Sequence, residues 1–530
     1  MNNYVFLVFL GFMFSILMVF CFPFFKLSLF FLDWEFLSFK FNFFFNSVLF
    51  SFILMLVTMS VLVYSCYYLN GEANFYYYFF VLLVFVGSMF SLIFSNGVFS
   101  MLVSWDMLGI SSFFLVLFYN NWDSCSGSMN TVLTNRLGDF FMFIFFALSF
   151  FSGFYFISFS FVAITPALFL ILTAFTKSAQ FPFSGWLPKA MSAPTPVSSL
   201  VHSSTLVTAG LILLMNFNAL MFSKNIMSMV LVVGIFTMFF SSITALFEED
   251  LKKVVALSTL SQMGFSMVTL GLGLNFIALI HLLSHALFKS CLFMQVGYLI
   301  HCSFGQQDGR NYNNLGNLPF FIQIQMLVTL FCLCGLMFSS GAVSKDFILE
   351  MFFSNNFMVF FSSMFFMAVF MTFGYSYRLW KSLFSTFNKS MDHFSNSVLM
   401  NYLSLFLVIF SISFIWWINT NLLFLPSLFL YLDFYAPLMF LFLSFFIILI
   451  SVKFILKEVS FKFLGDYLPK LSIYFLINMK STDLFLNKLN LWGFSFFSSL
   501  SFLSNSFMKN LHFNSITFLI FLLFLMFYMV

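Results

Sequence analysis

The stretch FTKSAQFPFSGWLPKAMSAPTPVSSLVHSSTLVTA, residues 175–209, decides the fold. Lys177 stands at the end of an apolar run, and four prolines follow within fifteen residues, namely Pro182, Pro188, Pro194 and Pro196. Proline removes a backbone donor and clashes with the preceding turn, so the sequence predicts that a helix breaks here. His202 lies in the next apolar run. At membrane depth, a broken helix is tolerated only where its freed backbone groups face protein or a water-filled cavity.

A lysine beside such a break has two interpretations. It can be functional, because ionisable residues inside membranes mark ion pathways. Alternatively, its long side chain can reach from a helix end to the headgroups. The local sequence leaves both interpretations of Lys177 open.

The composition indicates a polytopic membrane protein. Of 530 residues, 62% are hydrophobic and only 7% are charged, and the mean hydropathy is +1.05. Soluble proteins carry about 25% charged residues. The net charge of +4 is small and spread along the chain, so nucleic acid is not predicted as a partner, whereas lipid is.

Motifs for cofactors are missing from the sequence. None of the seven cysteines forms a C-x-x-C pair, and no G-x-G-x-x-G follows a strand pattern. Iron–sulfur, zinc and dinucleotide sites need such spacings, so we expect this chain to bind no cofactor. The first apolar run has no basic n-region, and phenylalanine is unusually frequent at 96 residues. Both features fit a protein encoded and made in the organelle where it works.

Runs of about 20 apolar residues predict membrane-spanning helices. We count fifteen spans in the sequence: 4–25, 43–69, 75–95, 97–119, 136–157, 160–181, 196–218, 226–247, 254–273, 275–300, 322–342, 357–380, 402–424, 437–456 and 513–530. The connection 457–512 is longer than the others and carries six lysines among Phe and Leu clusters. We interpret it as an interfacial helix lying along the membrane, with an ordinary membrane-facing loop as the alternative.

Charged residues inside apolar runs are candidates for function. Asp106 lies well inside the fourth run, and Arg136 and Asp139 open the fifth, where snorkelling or a structural ion pair is plausible. In the second half of the chain, Gly335, Gly341 and two serines loosen a helix that carries Lys345 and Asp346. The sequence thus predicts a second helix break beside a second lysine.

His281, His285 and Lys289 follow one another at intervals of four. Successive members are about 40° apart on a helix, so all three share one face. A zinc site is one alternative, although no third ligand is evident in the sequence. Ordinary buried histidines are another alternative.

The candidate residues have a common chemical logic. Burial disfavours the charged form of an amine and a nearby carboxylate favours it, so a change of charge at the carboxylate controls the proton on the amine. Histidines relay protons near neutral pH. We therefore expect a proton path across the bundle, formed by Asp106, Lys177, His202, His281, His285, Lys289 and Lys345.

Four stretches carry a resemblance to a known family. They are KSAQFPFSGWLPKAMSAPTPVSSLVHSSTLVTAG, NRLGDFF, EEDLKKVVALSTLSQMGFSMVTLG and HLLSHALFKSCLFMQVGYLIH, with SKDFILE after them. Together they closely resemble the subunit 5 family of mitochondrial NADH:ubiquinone oxidoreductase, respiratory complex I. The resemblance covers about residues 40 to 380.

The resemblance implies an all-α, antiporter-like membrane protein with two inverted five-helix repeats. In it, Asp106 would be the carboxylate paired to Lys177, Lys289 the central lysine, and Lys345 with Asp346 the terminal pair on the second broken helix. The family usually has glutamate at the position of Asp106 and proline at that of Met337. The implied boundaries are 1–95 for N-terminal helices, 96–220 and 221–380 for the repeats, 381–456 for C-terminal helices, 457–512 for a lateral helix and 513–530 for an anchor.

The resemblance also implies a function. The chain would translocate protons across the inner mitochondrial membrane as a core subunit of the enzyme. Its partners would be other membrane-arm subunits, especially antiporter-like neighbours contacted by 457–512. NADH, flavin, iron–sulfur clusters and ubiquinone would be bound by other subunits. A free-standing cation/proton antiporter and a structural scaffold are the alternatives.

Overall fold

The computed structural model describes residues 27–32, 39–151, 164–217, 224–303, 305–312, 320–335, 340–354, 359–384 and 404–412. The elements in chain order are β1 (Leu27–Leu32), β2 (Phe39–Phe43), α1 (Phe45–Tyr68), α2 (Phe75–Phe94), α3 (Val98–Val116), α4 (Trp122–Phe151), α5 (Ile164–Lys177), α6 (Trp186–Ala190), α7 (Thr195–Asn216), α8 (Lys224–Phe247), α9 (Leu251–Gly271), α10 (Asn275–Cys302), α11 (Phe320–Cys334), α12 (Ser340–Ser354) and α13 (Val359–Phe384). Residues 404–412 are also helical.

Nine of the helices in the described ranges are long and apolar enough to cross a membrane. The predicted membrane fold built from helices is therefore confirmed. Bulky apolar side chains such as Met107, Phe140, Phe240 and Phe360 point outward, as a lipid environment requires. The predicted spans 4–25, 437–456 and 513–530 and the predicted lateral helix 457–512 lie outside the described residues.

Helix α4 begins fourteen residues earlier than predicted, at Trp122 instead of 136. The polar segment before Arg136 was not predicted as part of a span because its average hydropathy is low, and hydropathy does not depend on where the side chains point. Ser128, Thr131 and Asn135 from this segment are buried. Their polar groups lie inside the helix bundle, so they do not face lipid.

Two helices of the bundle are interrupted. Between α5 and α7 the chain forms the 3₁₀ turn Phe183–Gly185 and the short helix α6, and we call residues 178–194 the first break. The second break separates α11 from α12. In the described residues, the interrupted helix is the fourth member of each run of five: α2, α3, α4, α5/α6 and α7, then α8, α9, α10, α11/α12 and α13. This count begins the first run at Phe75, whereas the resemblance implied a first repeat that starts at residue 96.

The interior of the bundle contains α9 and the middle of α10. Every residue of α9 except Lys253 is buried, and so is every residue of α10 from Ile277 to Ile300. α9 packs against α8 on one side and α10 on the other, while α10 also contacts α7, α11 and α12. Polar groups on α10 are therefore enclosed by helices on several sides.

The hairpin of β1 and β2 was not predicted. The two strands pair antiparallel, with Leu27 opposite Phe43 and Leu29 opposite Phe41. The alternation of Phe with Lys and Asn in FKFNF was the strand signal in the sequence.

Candidate functional site

The first break supplies hydrogen-bond partners for its own backbone. α5 ends at Lys177, Ala179 has a φ of 54°, and the amide of Gln180 donates to the carbonyl of Phe175 across 2.9 Å. The indole of Trp186 donates to the carbonyl of Thr176 across 3.0 Å. The helix end is thus paired inside the bundle, as a break at membrane depth requires.

The predicted prolines lie at different points of this break. Pro182 precedes the 3₁₀ turn, and Pro188 is the third residue of the short helix α6. Pro194 caps the start of α7, where Pro196 occupies the first turn. At these two places a missing backbone donor costs little, because the first turn of a helix leaves its N–H groups unpaired.

Helix α4 contacts the chain just before the first break and again within the break. A Cβ atom at Gly138 would overlap the hydroxyl of Thr176, just before the break. A Cβ atom at Gly127 would lie 2.7 Å from the carbonyl oxygen of Lys189, beyond most of the break. Both positions need glycine for this close approach, so α4 runs alongside the interrupted helix at close contact distance.

Lys177 is completely buried. Its Nζ donates a hydrogen bond to the backbone carbonyl of Trp105 across 2.6 Å and lies 3.8 Å from the centroid of the Trp105 indole. Both contacts are to uncharged groups of one residue on α3. The snorkelling interpretation is incompatible with this burial.

The carboxylates of Asp139 and Asp106 contact Trp105 and Arg136. Nε1 of Trp105 donates to Oδ1 of Asp139 across 2.9 Å. Nη1 of Arg136 lies 3.3 Å from Oδ2 of Asp139 and 3.7 Å from Oδ1 of Asp106. The contacts therefore run in the order Lys177, Trp105, Asp139, Arg136 and Asp106.

Among the described residues, Lys177 bonds to Trp105 and the ion pair of Asp106 is with Arg136, so the expected direct pairing of Asp106 with Lys177 is not among these contacts. Asp106 follows Trp105 on α3, so its side chain points about 100° away, toward Arg136. Its side chain is 35% exposed, whereas that of Asp139 is 7% exposed. The indole of Trp105 occupies the position beside the ammonium group where a direct partner was expected.

His202 lies in a π-helical segment of α7, Ser198–Thr205. It is buried, and neither ring nitrogen has a hydrogen-bond partner in the described part of the chain. The ring centroid of Trp186 lies 6.1 Å from that of His202. Serine and threonine hydroxyls of the segment, such as that of Thr205, bond to carbonyls one turn earlier.

His281, His285 and Lys289 are all buried on α10, as their shared face predicted. Nδ1 of His281 lies 3.0 Å from the hydroxyl of Ser344 on α12. Nζ of Lys289 donates to the hydroxyl of Ser258 on α9 across 2.5 Å. The nitrogens of His285 have no hydrogen-bond partner among the described residues.

The second break centres on Gly335, whose φ of 75° is the left-handed conformation that glycine adopts freely. Lys345 is buried on α12, and its Nζ donates to the carbonyl of Leu333 at the end of α11 across 2.5 Å. Gly341 lies inside α12, where a Cβ atom would overlap the carbonyl oxygen of Cys332. Asp346 follows Lys345 on α12.

The predicted residues thus fall into two groups. The first contains Lys177 and the carboxylates Asp139 and Asp106. The second contains His281, which contacts Ser344 beside Lys345, and Lys289 two helical turns further along α10. Within the described ranges, no hydrogen bond connects His202 to either group, and no three potential ligands of the His, Cys, Asp or Glu type could hold a metal ion together.

Trp105, Asp139 and Lys252 are residues whose part in the site the sequence did not predict. Lys252 at the start of α9 is buried, and its Nζ donates to the carbonyl of Ala193 in the first break across 3.2 Å. Asp139 was noted but placed near a helix end, because the start of α4 was predicted too late. For Lys252, the available signal was a lysine on the same helix face as the apolar residues Val255 and Ala256.

The chain is similar to known proteins over nearly its whole length. Residues 95–372 match the family model described as "NADH:quinone oxidoreductase/Mrp antiporter, TM". The chain is 70% identical to NADH-ubiquinone oxidoreductase chain 5 of Caenorhabditis elegans over 525 residues, which is 99% of this chain and 100% of the relative. It is 65% identical to the protein of the same name from Ascaris suum over 518 residues, or 98% of this chain and 95% of that one.

A solved Mrp complex from Dietzia sp. DQ12-45-1b contains a chain of similar fold. The TM-score is 0.72 with 23% identity, and the match covers 88% of this chain. This chain spans 56% of the length of that chain. At this identity the likeness shows a shared fold.

Proposed function

We propose that this chain translocates protons as a core membrane subunit of NADH:ubiquinone oxidoreductase. The chain belongs to the NADH:quinone oxidoreductase/Mrp antiporter family and, within it, to the NADH-ubiquinone oxidoreductase chain 5 proteins. Electron transfer from NADH to ubiquinone, carried out by other subunits, supplies the free energy. The observation that carries this proposal is the buried Lys177 at a helix break, linked through Trp105 to the carboxylate of Asp139.

The chemistry of this site suits a proton carrier. The ammonium group of Lys177 contacts a carbonyl oxygen and an indole face, both uncharged. In a low-dielectric interior, charges a few ångströms further away then decide how firmly the amine holds its proton. Asp139 and Asp106 supply those charges, and Arg136 between them interacts with both carboxylates.

The path continues through His202, His281, His285 and Lys289 to Lys345 and Asp346. Imidazole nitrogens accept and donate protons near neutral pH, so the buried histidines are suited to relay a proton between lysines. Lys345 contributes a second lysine at a second break, and the hydrogen bond of His281 to Ser344 connects α10 to the helix that carries it.

In this proposal the chain has no redox centre, and the complex holds NADH, flavin, iron–sulfur clusters and ubiquinone in other subunits. Its partners are other membrane subunits, and the lateral segment 457–512 contacts antiporter-like neighbours. It works in the inner mitochondrial membrane and is made in the mitochondrion. Relatives that carry the name NADH-ubiquinone oxidoreductase chain 5 over nearly the whole length support this assignment.

The test is the substitution Lys177→Ala in the assembled complex. Protons translocated per NADH oxidised should fall strongly, whereas the complex should still assemble and oxidise NADH. Lys189→Ala is the matched control, because Lys189 is an exposed lysine in the same break. Undiminished pumping by the Lys177→Ala complex would refute the role assigned to this lysine.

The free-standing antiporter is not favoured. Relatives that match nearly the whole chain are named as chains of NADH-ubiquinone oxidoreductase, whereas the likeness to the Mrp complex extends to fold alone. Exchange of Na⁺ for H⁺ by the purified chain in liposomes, without partner subunits, would restore the antiporter hypothesis.

A further inference from the structure

We propose that Trp105 is a positioning residue whose indole transmits the charge of Asp139 to the ammonium group of Lys177. This inference rests on the function proposed above, in which Lys177 takes up and releases a proton. It adds a residue that neither the resemblance nor the comparisons assign to the site.

Trp105 contacts both partners through different parts of one rigid side chain. The ring face lies under the ammonium group of Lys177, 3.8 Å from Nζ, and the ring edge donates its N–H to Asp139 across 2.9 Å. The backbone carbonyl of the same residue accepts the hydrogen bond from Lys177. Only 1% of Trp105 is exposed, so water does not screen these contacts.

The electronic structure of indole makes this geometry responsive to charge. A cation over the ring is attracted by the negative face of the π system. The N–H group at the edge is only a donor, and its hydrogen bond is stronger when the acceptor is ionised. In a low-dielectric interior, neighbouring hydrogen-bonded groups polarise one another. An ionised Asp139 therefore increases the negative charge on the face beneath Lys177, and a neutral or displaced Asp139 reduces it.

The contacts also lead from the surface to the buried lysine. The side chains of Arg136 and Asp106 are 52% and 35% exposed, Asp139 is nearly buried, and Lys177 is fully buried. Arg136 is within 4 Å of both carboxylates, so a shift of its charge toward Asp106 changes the field at Asp139. Trp105 is the one residue in this series that touches both Asp139 and Lys177.

The side chain can be altered without removing the backbone carbonyl. Trp105→Phe keeps an aromatic face beneath Lys177 but removes the N–H group, and Trp105→Leu removes both. Asp139→Asn removes the charge and keeps an oxygen acceptor. Trp122→Phe is the matched control, because Trp122 is 93% exposed at the start of α4.

The measurement is protons translocated per NADH oxidised by the assembled complex, with assembly checked on a native gel. We expect Trp105→Leu to lower this ratio by about threefold or more, and Trp105→Phe to recover part of the loss. Asp139→Asn should lower the ratio about threefold with Trp105 present and by a smaller factor with phenylalanine there, since the N–H link is then missing and only the direct field of Asp139 remains. A purely structural tryptophan would not produce this dependence.

Two results would overturn the proposal. One is unchanged pumping in Trp105→Leu, and the other is an equal fold-loss from Asp139→Asn with tryptophan and with phenylalanine at position 105. If the Trp105→Leu complex fails to assemble, the proposal is still tested by comparing the effect of Asp139→Asn with tryptophan and with phenylalanine at position 105. The Lys177→Ala variant separates the proposed function from the inference about Trp105. If pumping is lost in Lys177→Ala but the Trp105 variants behave as wild type, the proposed function stands and the inference fails. If Lys177→Ala pumps normally, both fail.

Discussion

The hydroxyl of Thr237 donates a hydrogen bond to Oε1 of Gln180 across 2.6 Å. Gln180 lies in the first break, and Thr237 lies in α8, the first helix of the second run of five. Both residues are buried. The bond therefore ties the interrupted helix of one run directly to the next run.

Thr237→Val should destabilise this connection. The change keeps the shape of the side chain but leaves the Gln180 oxygen buried without its donor, at a cost of about 1–3 kcal/mol. We expect heated membranes to lose NADH-driven pumping at a lower temperature than the wild type. Thr244→Val is the control, because Thr244 is an exposed threonine of the same helix that bonds to carbonyls of α8. Equal heat stability of the two variants would contradict the expectation.

Asp139→Asn should reduce pumping more than Asp106→Asn. Asp139 is nearly buried and linked to the lysine through Trp105, whereas Asp106 is partly exposed and its contact with Arg136 is long. Exposed ion pairs contribute about 0–1 kcal/mol, and hydrogen bonds to buried charges contribute about 1.5–3 kcal/mol. We therefore expect Asp139→Asn to lower protons per NADH about threefold, equivalent to about 0.6 kcal/mol, and Asp106→Asn to lower the ratio by a smaller factor. A larger loss in Asp106→Asn would restore Asp106 as the principal partner of Lys177.

Lys252→Met should weaken the packing of the first break against α9. The buried ammonium group of Lys252 is a donor to Ala193 in the break, and its loss leaves that carbonyl with one partner fewer. We expect less assembled complex on native gels at raised temperature, from a loss of about 1–3 kcal/mol. The adjacent Lys253→Met is the control, since Lys253 is 43% exposed and forms surface ion pairs with Asp250 and Glu248. A comparable loss of assembled complex in both variants would show that the effect comes from removing a positive charge and not from the buried hydrogen bond to Ala193.

Gly341→Ala should disturb the second break. The added methyl group would collide with the carbonyl oxygen of Cys332, and overpacking of this kind costs about 1–3 kcal/mol. Since α12 also carries Lys345, both heat stability and protons per NADH should fall. The control is Gly87→Ala, where a Cβ atom meets nothing within 4 Å and helix propensity favours alanine. Wild-type behaviour of Gly341→Ala would mean that α11 and α12 can separate without loss.

The uniformly apolar helices were predictable because lipid imposes a simple rule on length and composition. Helix α1 was expected at 43–69 and lies at Phe45–Tyr68, and α10 was expected at 275–300 and lies at Asn275–Cys302. The rule fails for α4, whose polar first half faces protein. Span prediction sees average polarity, and only packing decides which polar side chains are enclosed.

The lysines of the site were predictable, but their partners were not. Lys177 and Lys345 stand out because ammonium groups are rare in apolar runs beside helix breaks. The choice between Asp106 and Asp139 depends on the rotation of α3 and α4, which no single run of sequence specifies. Trp105 carried no signal, since a tryptophan inside an apolar span is ordinary.

The close contacts of α4 before and within the first break have a mechanical consequence. Gly127 contacts Lys189 and Gly138 contacts Thr176, so the continuous helix α4 supports the interrupted helix along the break. Asp139 is the residue after Gly138 on α4. Lys177 is the residue after Thr176, at the end of α5 that α4 supports. Hinge bending at the break therefore leaves the spacing between lysine and carboxylate nearly constant. We therefore expect any switching at this site to come from a change in which groups hold protons, with the distance between Lys177 and Asp139 unchanged.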